Sequence, residues 1–85
     1  MEKVTVTVGI TKRNYSAYVN IGAGIAVATG KTFEELKEQM EEAVEFHLEG
    51  MREDGDEIPR VFNSEYELVY MLPEKVTREE NKRKE

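Results

Sequence analysis

The sequence contains no cysteine and a single histidine, His47, among its 85 residues. Without cysteine the chain can form neither a disulfide framework nor a thiolate metal site. One histidine allows no His-pair metal site and no histidine relay. Every apolar run is far shorter than the roughly 20 residues that span a bilayer. Met1 to Lys3 lead directly into an alternating strand pattern, so we expect no signal peptide, no membrane segment and a cytoplasmic protein.

Acidic residues are also missing from most of the first third of the chain, because no Asp or Glu lies between Val4 and Thr29. A two-metal nuclease needs carboxylates that converge from several elements. Ser16 and Ser64 have no base nearby in sequence and lie in no strand-turn-helix elbow. The glycine spacing completes neither a phosphate-binding loop nor a dinucleotide fingerprint. We therefore predict that the chain is not an enzyme, with no catalytic residues, no metal site and no cofactor.

Acidic residues are concentrated in one block instead. The formal net charge is -6, and residues 34 to 57 contain eleven acidic residues against Lys37 and Arg52. Direct nucleic-acid binding by this domain is not expected, because Lys and Arg dominate such binding by neutralising phosphates. Two interpretations of the block stay open. It is either a solvated helix face or a surface complementary to a basic partner.

The segment from Thr29 to Pro59 has a strong helical signal. Thr32 and Glu35 have the spacing of a capping box, which satisfies free backbone donors at a helix start. Apolar residues then recur at spacings of three and four, namely Phe33, Leu36, Met40, Ala43, Val44 and His47. We predict a helix from about Phe33 to Glu49, capped by Gly50 in a left-handed conformation. His47, on the inner edge, is interpreted as a packed structural residue.

Alternation of apolar and polar residues predicts four strands around this helix. They comprise residues 4–11, Tyr15 to Ile21, Ile25 to Thr29 and Glu65 to Leu72, and the first two should form a hairpin. The predicted class is α+β: three strands, one amphipathic helix, then a fourth strand, with a mostly antiparallel sheet and the helix on one face. We expect one domain over residues 1–72 and a charged tail over residues 73–85, with no DNA-binding domain.

The fourth strand has apolar residues on both faces, whereas one helix can cover only one face of a sheet. Tyr66, Leu68 and Tyr70 should lie on one face and Val69 and Met71 on the other. Apolar groups on both faces indicate burial on both, by self-association or by a partner. We therefore predict a homodimer whose contact residues are Tyr66, Tyr70 and Met71.

Several stretches resemble the N-terminal domain of HicB-type antitoxins over about residues 3 to 72. They are NYSAYV (14–19), ATGKT (28–32) before an acid-rich helix, and EFHLEGMREDG (45–55) followed by Ile58-Pro59. The H-L-E-G-x-R-E-D-G-x-x-I-P run is the most specific of these. The resemblance implies a partial RNase H-like fold without nuclease activity. It also implies a partner, a small basic HicA toxin, which is an mRNA interferase whose active site the domain blocks.

The chain departs from the family pattern in two places. Family members often have a Leu-Pro-Gly-Cys-like corner between the second and third strands, whereas this chain has Asn20 to Ile25 without Pro or Cys. Many members also continue into a helix-turn-helix or ribbon-helix-helix domain that binds the promoter of the operon. These residues do not support such autoregulation.

Two functional hypotheses follow. The first is the antitoxin of a type II toxin-antitoxin system, whose partner-binding residues would be acids near the carboxyl end of the helix: Glu45, Glu49, Glu53, Asp54 and Asp56. The alternative is a standalone HicB-like module, a homo-oligomeric scaffold or ligand-binding protein without a toxin partner. A third and weaker hypothesis is nucleic-acid binding through Lys82, Arg83 and Lys84.

Overall fold

A computed structural model describes residues 1–73 of the chain. Its elements are β1 (Glu2–Ile10), β2 (Tyr15–Ile21), β3 (Gly24–Gly30), α1 (Phe33–Asp54), a short 3-10 helix (Arg60–Asn63) and β4 (Tyr66–Met71). The strands form one sheet in the order β3-β2-β1-β4, with α1 on one face. The predicted α+β class is therefore confirmed. Apart from Pro73, the predicted tail, including Lys82 to Lys84, lies outside the described residues.

The sheet is mixed, and its two antiparallel pairings are made by hairpins. β1 pairs with β2 and β2 pairs with β3 in antiparallel fashion, whereas β4 returns after the helix and pairs with β1 in parallel. The hairpin between β2 and β3 has a turn of two residues, Gly22 and Ala23, because Ile21 pairs directly with Gly24. Gly22 has a φ of 62°, and a glycine tolerates this conformation at the first turn position.

The start of α1 follows the predicted capping box. The backbone N–H of Glu35 donates to Oγ1 of Thr32 at 3.0 Å, and the Glu35 carboxylate accepts from the backbone N–H of Lys31 at 2.7 Å. The end of β3 lies close against this first turn, because a Cβ built on Gly30 would be 2.6 Å from the backbone nitrogen of Leu36. Glycine at this position lets the strand approach the helix.

The predicted end of α1 is wrong by more than one turn. The helix continues through Gly50 to Asp54, and Gly55 is the capping residue, with a φ of 79°. The N–H of Gly55 donates to the carbonyl of Arg52 and that of Asp56 to the carbonyl of Met51. Gly50 is exposed inside the helix, where one glycine weakens a helix without ending it. The apolar stripe also continues beyond Glu49, since Met51 is half-buried.

The core lies between α1 and the inner face of the sheet. The helix packs chiefly on β3 and less on β2, so its axis is displaced toward one edge of the sheet. Of the predicted helix contacts, Leu36, Met40 and Val44 are fully buried, and Phe33 is half-buried. Leu48 and Phe62, the latter from the 3-10 helix that the sequence pattern did not predict, complete the core.

The position of β4 explains its pattern of apolar residues. Val4 lies beside Leu68 and Val6 lies beside Tyr70, and both valines are buried under the helix side of the sheet. Leu68 and Tyr70 therefore face the helix side, while Val69 faces the opposite side. β4 is one residue shorter at each end than the predicted strand from Glu65 to Leu72.

Candidate protein-binding surface

Three of the five predicted partner-binding acids lie on one surface of α1. Glu45, Glu49 and Glu53 are four residues apart along the helix, so they follow one another on the same face. All three are exposed. We call these three residues the outer ridge. The helix is 22 residues long, about 33 Å at the usual rise per residue, so the ridge extends along its second half.

The other two predicted acids, Asp54 and Asp56, lie elsewhere. They line a shallow pocket of about 670 Å³ beside the β2–β3 hairpin, together with Gly24 and His47. The ring of His47 packs over this hairpin, since a Cβ built on Gly24 would lie 2.8 Å from its Cε1 and Nε2 atoms. Phe46 also lines this pocket, so the pocket borders the surface that carries the outer ridge. His47 has the packed position that its place in the helical stripe predicted.

An exposed aromatic residue that the sequence reasoning missed lies among these acids. Phe46 is in the middle of α1, and 78% of it is exposed. It lines a shallow depression with five carboxylates: Glu38, Glu41, Glu42, Glu45 and Glu49. A signal for it exists in the sequence, because Phe46 falls outside the apolar stripe of Leu36, Met40 and Val44. A large aromatic ring that no part of the described chain buries is typical of an interface.

The predicted self-association residues do not share a face. Tyr66 and Tyr70 lie on the helix side of β4 and are half-buried, whereas Met71 lies on the opposite side and is 56% exposed. The Tyr66 hydroxyl donates to Oε2 of Glu45 at 3.4 Å. The ring of Tyr70 meets Phe33 edge to face, with 5.6 Å between the ring centroids. A contact surface on one side of the sheet therefore cannot include all three predicted residues.

Both tyrosines are held in the neutral form. Burial raises the pKa of Tyr66, and the charge of Glu45 and its hydrogen bond raise it further. Burial, followed by the charge of Glu41, raises the pKa of Tyr70 to about 12. The Tyr70 hydroxyl oxygen is buried and has no hydrogen-bond partner among residues 1–73. The raised pKa values therefore extend the neutral form of both groups to higher pH than that of an ordinary tyrosine.

The face of the sheet opposite α1 is not covered by any described element. It exposes large apolar side chains from three strands, which are Tyr18, Ile25, Val27 and Met71. Polar residues on β1, such as Thr5 and Thr7, separate the apolar side chains of β2 and β3 from Met71 on β4. This surface is therefore mixed, with its apolar groups at the two edges.

Within residues 1–73, no group of three or more His, Asp or Glu side chains is placed to hold a metal ion. No helix in the same range is both long and apolar enough to cross a membrane.

Comparisons with models of protein families, with curated proteins and with solved structures give no match for this chain.

Proposed function

We propose that this chain is the antitoxin of a type II toxin-antitoxin system and that it binds and occludes a small basic mRNA interferase of the HicA type. The observation that carries the proposal is the exposed Phe46 within the acidic surface of α1. An aromatic anchor surrounded by charges of one sign suits a partner surface of the opposite sign with an apolar pocket. A ribonuclease that binds RNA phosphates has such a basic surface.

The two parts of this surface have different roles in the proposed mechanism. The carboxylates of the outer ridge attract the basic toxin over a distance and orient it during encounter. Phe46 then loses its contact with water as it enters the partner, which slows dissociation. The toxin is inactive because its RNA-binding surface is covered, and no catalytic step by the antitoxin is required. The complex would form in the cytoplasm, where messenger RNA is cleaved.

The fold and the sequence resemblance support the same proposal. Three antiparallel strands, a helix and a fourth strand are the arrangement expected of a partial RNase H-like domain of the HicB type. Acidic residues lie along the exposed side of α1, whereas the first three strands carry only Glu2, at the start of β1. This distribution favours protein binding over nuclease chemistry, which needs carboxylates from several elements around its metal ions.

The proposal is tested by adding the purified chain to a HicA-type toxin encoded beside its gene and measuring RNA cleavage. Equimolar wild-type chain should stop cleavage. Phe46→Ala should weaken inhibition by about 30-fold or more, as expected when an interface anchor is lost. Tyr18→Ala, which removes an exposed aromatic ring on the opposite face of the sheet, is the matched control and should inhibit like the wild type. Unchanged cleavage at a molar excess of wild-type chain would overturn the proposal.

A second candidate function is a homo-oligomeric module without a toxin partner. It is favoured by the apolar side chains exposed on the open face of the sheet, Tyr18, Ile25, Val27 and Met71, since such groups often mark contact surfaces. Sedimentation velocity at increasing concentration measures this directly. The homodimer predicts a shift to dimer at micromolar concentration, which Met71→Lys or Val27→Lys should reduce. Monomer alone at high micromolar concentration would contradict it.

A further inference from the structure

A groove runs between α1 and β4 on the helix side of the sheet. It forms because α1 packs on β3 and β2 and is displaced away from β4. The groove has a volume of about 1100 Å³. Phe33, Leu68 and Tyr70 are among the residues that line it, and Glu41 and Glu45 lie on its α1 side. It shares Glu41 and Glu45 with the depression around Phe46 but extends over β4 instead of along the exposed side of α1.

We propose that this groove binds a basic amphipathic helix of a partner protein. A sheet of four strands is about 19 Å wide at the usual strand spacing, and α1 occupies about 10 Å of that width. The helix-side valines of β1 are already buried, so the partner helix would lie over β4 and against the side of α1. β4 has 6 residues and is about 20 Å long, so it would contact a partner helix of about 13 residues.

The chemistry of the groove selects a partner helix with one apolar side. Leu68 and Tyr70 are half-buried on the sheet and Phe33 is half-buried on α1, so these three residues present partly covered apolar surface to the groove. Tyr70 meets Phe33 edge to face, which fixes both rings in place before a partner arrives. Two helices packed on one sheet usually lie 8–10 Å apart, close enough for an apolar stripe to fill this space.

The charges beside the groove favour a partner helix with positive charge. Glu41 and Glu45 lie one helical turn apart on its α1 side, and within residues 1–73 neither of them forms an ion pair. The cation that lines the groove, Lys37, lies over the Phe33 ring at 5.1 Å and near Glu34 at 3.9 Å. A partner helix with Lys or Arg beside its apolar stripe would meet two carboxylates that have no cation of their own.

The same charges disfavour a second copy of this chain in the groove. Within residues 1–73, the long helix that a second copy could offer is α1, whose exposed side carries the outer ridge and further glutamates. Packing that helix against Glu41 and Glu45 would bring like charges together, which costs free energy. The occupant inferred here is therefore a basic helix of a different protein, whatever the outer ridge binds.

The inference is tested with two synthetic peptides of 14 residues. Their binding is measured by the amide chemical shifts of the isotope-labelled chain. One peptide has Leu at helical spacing with Lys at the remaining positions, and the other has Glu in place of each Lys. The Lys peptide should shift amides of β4 and of α1 near Glu41 in a saturable manner, and the Glu peptide should not. Saturable shifts confined to the open face of the sheet, or no saturable shifts, would overturn the inference.

Matched variants separate the groove from the general negative charge of α1. Glu41→Gln with Glu45→Gln should weaken binding of the Lys peptide about three- to tenfold, as expected for two exposed charge pairs. Glu42→Gln with Glu49→Gln makes the same charge change on α1 outside the groove and should alter the affinity less than twofold. Equal weakening by both pairs would mean diffuse attraction and would overturn the inference.

A pair of variants on β4 tests the apolar floor. Leu68→Ala should weaken binding about tenfold, whereas Val69→Ala, on the opposite side of the same strand, should leave it unchanged. Thermal unfolding of each variant identifies any loss of fold, and the glutamate variants remain informative if Leu68→Ala is unfolded. Concentration-dependent shifts of the groove amides without peptide would show that a second copy fills the groove, and would also overturn the inference.

Discussion

At the scale of single residues, Tyr70 shows what a sequence pattern can and cannot predict. Alternation along β4 placed it correctly on the same side as Tyr66 and Leu68. The pattern gave no information about its hydroxyl group, which is buried without a partner among residues 1–73. That environment is created by residues far apart in the chain, with Phe33 against the ring and Glu41 near enough to raise the pKa. Contacts of this kind depend on tertiary packing.

The first prediction concerns replacement of Tyr70 by Phe. The substitution removes a buried hydroxyl that has no hydrogen-bond partner, so the free energy of unfolding at pH 7 should stay the same or rise by up to about 1 kcal/mol. Urea unfolding monitored by circular dichroism measures this change. Tyr18→Phe, at an exposed position, is the control and should have no effect. A loss of more than about 1 kcal/mol in Tyr70→Phe would reveal a partner for the hydroxyl.

The same tyrosine predicts a loss of stability in alkaline solution. Its pKa is raised from 10.0 to about 12 in the folded chain. The folded state therefore holds the proton more tightly than the unfolded state, and this contribution is fully present below pH 10. It is lost as the pH rises through about 12. Wild-type stability should fall over this window, and Tyr70→Phe should reduce the fall. Identical pH profiles for the two proteins would contradict this assignment.

At the scale of elements, the start of α1 was predictable and its end was not. Thr32 and Glu35 form a local signal, because a capping box is complete within a few residues. The end involves a choice between two glycines, Gly50 and Gly55, and both are typical of helix caps. Gly55 is the cap in the folded chain, and continued packing of Leu48 and Met51 on the core accounts for the longer helix. The 3-10 helix was missed because four residues give no periodic pattern.

The two glycines predict opposite effects of the same substitution. Gly50→Ala should raise the free energy of unfolding by about 0.5–1 kcal/mol, because the position is helical and a Cβ there meets nothing within 4 Å. Gly55→Ala should lower it by about 1 kcal/mol, since alanine rarely adopts the left-handed conformation. Thermal and urea unfolding of both variants measure the difference. Destabilisation by Gly50→Ala would indicate that Gly50, and not Gly55, caps the helix.

At the scale of the whole molecule, the displacement of α1 toward β3 determines which surfaces are available to partners. The sequence predicted that one helix would leave the other face of the sheet uncovered, and the fold agrees. It did not predict that the helix would also leave β4 open on its own side, because the lateral position of a helix on a sheet depends on close contacts such as those of Gly24 and Gly30. The sequence pattern also gave no position for Phe46, which lines depressions with both groups of predicted acids.

The last prediction concerns electrostatic attraction of a basic toxin by the outer ridge. Replacing Glu45, Glu49 and Glu53 together by Gln should slow association with a HicA-type toxin and flatten its dependence on salt. Exposed charges act mainly on the association rate, and their field is screened within about 10 Å at 0.1 M salt. Stopped-flow measurements between low and physiological salt give both quantities. The dissociation rate should change little, because Phe46 remains in place.

A second triple variant separates the position of the charges from their number. Glu2→Gln, Glu65→Gln and Glu67→Gln change the net charge by the same amount, and these exposed residues lie outside the helix. This control should associate at nearly the wild-type rate, because at moderate salt only charges within about a Debye length of the docking surface act strongly. If both triple variants slow association equally, net charge alone attracts the toxin. If neither does so at low salt, the acids of α1 serve only to keep that face solvated.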